Sequence, residues 1–93
     1  MTPRADDLPA LSHELMQERA SALRTCTERL ETALAQLAAA DPEGREWRAL
    51  HREAQRLLWN LVVQRESLGL HRHDTVYEVL GIPAWVQPHW TPE

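Results

Sequence analysis

Apolar residues return every seven positions along the first half of this chain. Met16, Leu23, Leu30 and Leu37 mark the repeat, Ala20, Cys26, Ala33 and Leu34 fill it, and Leu15 and Ala22 widen the stripe. No glycine interrupts residues 8–40, and Pro9 falls in a first helical turn, where a missing N–H is tolerated. The spacing predicts an amphipathic helix over 8–40 with a coiled-coil-like seam, a rod of roughly 45 Å at ~1.5 Å per residue. Asp6 or Asp7 suits its cap, and residues 1–7 read as a frayed start. Asp41-Pro42-Glu43-Gly44 is the clearest boundary: Asp41 suits an N-cap, Pro42 a first helical position and Glu43 the helix dipole. A second helix is expected over 42–68, with Trp47, Leu50, Ala54, Leu57, Leu61 and Leu68 on its seam and Gln64 interrupting it. Gly69 then supplies a left-handed stop, over which Leu70 can fold back. Two patterns of similar length joined by so short a break imply a matched antiparallel hairpin.

Within the second pattern, Leu57-Leu58-Trp59-Asn60-Leu61-Val62-Val63 spans almost two helical turns and is apolar nearly all the way round. A helix of that kind has to be covered on every side, and one antiparallel neighbour does not reach Trp59, Val62 and Val63. Two covers are available. One is the C-terminal segment, where Asp74 or Thr75 caps a short helix over 74–80 and Glu78 completes a capping box with Thr75. That helix carries Val76, Val79 and Leu80, stops at Gly81, and leads through Ile82-Pro83 to Trp85 and Val86. The other is a second copy of the chain. The expected architecture is therefore all-α: a long helical hairpin plus a short C-terminal helix, a single domain over 1–93, dimerising as a four-helix bundle. Leu58, Trp59, Val62, Val63 and Gln64 are the expected interface. Gln64 sits where a polar residue commonly fixes register or oligomeric state. Residues 87–93 read as a tail, with Trp90 suggesting that it docks.

The run from Leu58 through Gln64-Arg65-Glu66 to Leu70, continuing through His73-Asp74 to Ile82-Pro83, resembles a family of short bacterial all-helical proteins of unknown function. The likeness covers about the last third of the chain and implies helices, with no activity attached. By size the chain also invites comparison with chorismate-mutase-like helical dimers. The active-site lysine expected there has no counterpart, because all ten basic residues are arginine.

Charge and candidate chemistry narrow the function classes. A net charge of −4 and a pI near 5.7 argue against nucleic acid as the partner. No apolar run approaches the ~18–20 residues of a membrane span, and a start bearing Arg4, Asp6 and Asp7 does not resemble a secretory leader, so the expected compartment is the cytoplasm. Cys26 is alone, which excludes an internal disulfide, and on the seam it reads as a small buried hydrophobe. Arg45, Arg48, Arg52 and Arg56 recur at steps of three and four, forming one ridge that Trp59 continues. With Arg65 they are the candidate anion-binding residues; the plainer reading is a solvated face paired with acids such as Glu46 and Glu53. His71, His73 and Asp74 are metal-type donors in an irregular segment, better suited to dipole and cap roles, so no metal site is assigned. No phosphate loop, nucleophile-base pair or cofactor motif is present, and no cofactor is expected. The leading expectation is a non-enzymatic interaction or assembly module acting as a homodimer or on another protein. The alternative is a small-ligand or anion-binding helical dimer.

Overall fold

The computed structural model describes residues 8–88. Three helices follow in order, α1 (Leu8–Ala39), α2 (Trp47–Ser67) and α3 (Asp74–Val79), and there is no strand among the described residues. The chain forms an antiparallel α1–α2 hairpin with α3 and an irregular segment, residues 80–88, returning over it. The expected start at 1–7 and the docking of Trp90 lie outside the described residues.

The hairpin is unequal, contrary to the matched pair expected from the pattern. α1 has 32 residues and α2 has 21. Part of the difference arises at the turn. Asp41 does not cap a helix starting at Pro42; its Oδ1 accepts the N–H of Glu43 at 3.0 Å and its carbonyl accepts that of Gly44 at 2.9 Å. A side-chain turn at Asp41 competes with helix initiation, and Gly44 is a poor residue for a helix interior. Regular helix begins at Trp47.

Both predicted glycine stops are present. Gly69 (φ 83°) and Gly81 (φ 61°) adopt the left-handed conformation that a side chain disfavours. At the first, the N–H of Leu70 reaches the carbonyl of Arg65 and that of Gly69 reaches Glu66. At the second, Ile82 reaches Tyr77 and Gly81 reaches Glu78. These are paired Schellman closures, which satisfy carbonyls that a helix end leaves open. At the start of α3 the cap residue is His73, without a side-chain cap bond, so the expected Asp74 or Thr75 box does not form; Asp74 instead occupies the first turn, where its charge suits the dipole.

The core lies at the turn end of the hairpin. Leu30, Ala33 and Leu37 of α1 meet Ala54, Leu57, Leu58, Leu61 and Val62 of α2, and Ile82 and Val86 close the other side. The long axis is 59 Å against 22 Å across, with a radius of gyration of 17.2 Å. A compact domain of about 100 residues has ~13 Å, so the molecule is a rod with a core at one end.

Candidate interaction surfaces

The far side of α2 divides between two neighbours. Leu58 and Val62 are buried in one cluster with Ile82 and Val86 of the C-terminal segment. Trp59 and Val63 lie further round the helix and remain 59% and 46% exposed. The C-terminal segment is held against α2 by an aromatic cluster. His51 stands one turn beyond Trp47 on α2, and their rings lie 4.9 Å apart; Trp85 packs 5.6 Å from Trp47 and 5.3 Å from His51. His51 Nε2 lies 2.8 Å from the Trp85 carbonyl, an acceptor, so that nitrogen carries the proton. The only sequence signal for this lock was the four-residue step from Trp47 to His51; nothing along the chain pointed to Trp85 as their partner.

Gln64, the polar interruption of the seam, finds its partner inside the chain. Its Nε2 donates to Cys26 Sγ at 3.1 Å, setting α2 in register with α1. Arg65 turns away from the arginine ridge toward the loop after α2. Its Nη2 donates to the Arg72 carbonyl at 2.9 Å, and its Nε to His73 Nδ1 at 3.4 Å. With Nδ1 accepting, the His73 proton sits on Nε2, which faces Glu66 Oε1 at 3.2 Å. The Arg65–His73–Glu66 chain thus ties α2 to the start of α3. His71 is exposed and takes no part, and among the described residues no group of three His, Cys, Asp or Glu side chains is placed to hold a metal ion.

Arg45, Arg48, Arg52 and Arg56 lie exposed along the outer face of α2, as their spacing requires. They do not converge. Arg45 and Arg48 line a depression of about 600 Å³ at the turn with Glu43 and Trp47, while Arg56 pairs with Glu53 at 2.6 Å. That hydrogen bond holds the Glu53 carboxyl below its ordinary range and raises Arg56. Both groups are solvent-exposed, so the pair adds little to stability.

Besides the flank at Trp59 and Val63, two apolar surfaces stay open. One is the first half of α1, where every residue from Leu8 to Ala22 is exposed; Leu8, Leu11, Leu15 and Met16 keep 51%, 41%, 53% and 59% of their surface in solvent. At 100° per residue these four, with Ala20 and Ala22, occupy a broad arc that runs on into the packed seam. The other is a groove of about 260 Å³ between α1 and α3, lined mainly by Leu23, Thr27, Leu61, Val76, Val79 and Leu80, with Arg65 at its edge. No described helix is long and apolar enough to cross a membrane.

This arrangement defines an all-α helical-hairpin protein with a C-terminal strap. The chain belongs to a family of unknown function, DUF6665, whose model matches residues 2–89, so the likeness seen in the last third extends over nearly the whole length. No match was found among curated proteins or among solved structures.

Proposed function

We propose that the chain is a non-enzymatic helical assembly module that joins a second copy of itself. The observation that carries this reading is the bare half of α1. A helix segment of this length is marginal alone in water, and here its apolar arc, continuous with the hairpin core, has no partner among the described residues. Covering the exposed half of each large side chain contributes about 1 kcal/mol, so Leu8, Leu11, Leu15 and Met16 of two copies give roughly 8 kcal/mol, within the ~4–15 kcal/mol that association itself opposes. With gain and cost of the same order, such a dimer falls in the weak-to-moderate range rather than the obligate one. The anion-binding alternative has less support, because the arginines of the ridge diverge and Arg56 already faces a carboxylate.

Sedimentation velocity on the full chain at tens of micromolar tests the reading. The expected result is a species of twice the 10.7 kDa chain mass, reduced to the single chain by Leu11→Glu with Leu15→Glu while the helical circular-dichroism signal of the hairpin persists. A wild-type protein that stays at one chain mass throughout this range overturns it.

A further inference from the structure

The register bond from Gln64 to Cys26 shows where α2 stops covering α1. Three residues beyond Gln64, α2 ends at Ser67, which places the end of its cover near Leu23. From there back to Leu8, the 15 residues of α1 run for ~22 Å with no helix beside them among the described residues. The face they leave open is continuous with the face that Leu30, Ala33 and Leu37 bury against α2. What is missing is a helix in line with α2 and running in its direction, antiparallel to α1.

We infer that the same half-helix of a second copy fills this place, so that the two chains join by a lap of their α1 overhangs; the inference deepens the assembly reading and rests on it. Full overlap of two 15-residue overhangs running antiparallel sets Leu15 against the partner's Leu15. It also brings Leu8 beside the partner's Ala22 and Leu23, at the mouth of the groove that Leu23 shares with Val76 and Val79. The lap uses the whole bare length and leaves the two hairpin bodies at opposite ends. It points the amino-terminal end of each α1 toward the carboxyl end of the partner's α2, a favourable head-to-tail order of helix dipoles. A parallel pairing sets like dipole ends together and continues no existing seam. The area suits an interface of modest size. Leu8, Leu11, Leu15, Met16 and Val79 retain 41–76% exposure, on the order of 500 Å² of the ~800 Å² each partner gives to a standard interface. Ser12, Arg19, Ala20 and Ala22 on the same arc add to it.

Cysteine cross-linking tests the register in a Cys26→Ser background, where the serine hydroxyl can still accept from Gln64. A disulfide forms only when the two Cα atoms come within ~7 Å. Under mild oxidation, Leu15→Cys is expected to give a covalent dimer. Leu8→Cys alone is expected to stay single, and a mixture of Leu8→Cys with Ala22→Cys to give a mixed dimer. Because all three positions are exposed in the single chain, the substitutions leave the hairpin core alone, and circular dichroism checks that it is intact. Self-linking of Leu8→Cys marks a parallel pair and overturns the lap. A wild-type dimer in sedimentation with no Leu15→Cys cross-link also overturns the lap, while leaving the assembly reading standing. A single-chain species in both experiments removes both.

Discussion

Leu58 and Trp59 are adjacent on α2, yet the fold assigns them opposite environments, and comparing their alanine variants measures which side of the helix is core. Leu58 has no solvent exposure and packs in the cluster with Leu30, Leu61, Ile82 and Val86. Truncating such a leucine removes its transfer free energy and leaves a cavity, a loss of about 3–5 kcal/mol. A chain of this length has total stability of roughly 5–14 kcal/mol, so Leu58→Ala removes a large share of it. With a urea slope of ~1–1.5 kcal/mol per molar, the midpoint is expected to fall by about 2–5 M, or the variant to be unfolded in buffer. Trp59 is the larger side chain but is 59% exposed; Trp59→Ala is expected to cost less than about 1 kcal/mol. Urea titration followed by circular dichroism avoids the ambiguity of four tryptophan signals. Equal losses for the two variants would refute the reasoning, because they would mean that Trp59 is covered in solution as fully as Leu58. Repeating the Trp59→Ala titration at low and high protein concentration then identifies a second chain as the cover.

Three further outcomes follow from local geometry. His51→Ala removes the donor to the Trp85 carbonyl and a ring of the aromatic cluster; a loss of about 1–3 kcal/mol and faster protease cleavage within residues 80–88 are expected, and an unchanged cleavage rate contradicts the lock. Gly81→Ala meets open space, since nothing lies within 4 Å of the added Cβ, so its expected penalty of about 1–2 kcal/mol is backbone strain at φ +61° alone; a neutral midpoint in thermal unfolding rules this out. Tyr77 is held above its ordinary range, first by burial and then by the negative charge of Glu66. A raised folded-state value means that its contribution to stability is intact below about pH 10 and is lost as pH rises through the folded value. As the chain's single tyrosine it can be titrated by ultraviolet absorbance, and a midpoint at or below that of the unfolded chain excludes the assigned burial.

How much of this was legible in the sequence differs from element to element, for physical reasons. The two long helices and their glycine stops were readable because periodicity, capping chemistry and left-handed glycine are local properties. The start of α2 was misread because Asp-Pro-Glu suits a helix cap and an Asx turn equally, and the choice falls to Gly44 and to the packing of Trp47 on Trp85. That one misreading hid the main feature of the surface. A hairpin of equal arms has no overhang, so Leu15 and Met16 were placed on a covered seam; of the flank that α1 was expected not to reach, Trp59 and Val63 are open and Val62 is buried. Val62 is buried in one cluster with Ile82 and Val86 of the strap, whose hold depends on a contact between residues 34 positions apart, beyond the reach of any local pattern. Gln64 was readable as a register device, but its partner was not, because a lone cysteine on an apolar seam reads as packing until the opposite helix is in place. The residue that sets the register is therefore also the one that measures the overhang: moving the α1–α2 pairing by a heptad would lengthen or shorten the bare half of α1 by ~10 Å. On the proposed lap, the extent of the surface open to a second copy is therefore set by a polar contact inside the hairpin.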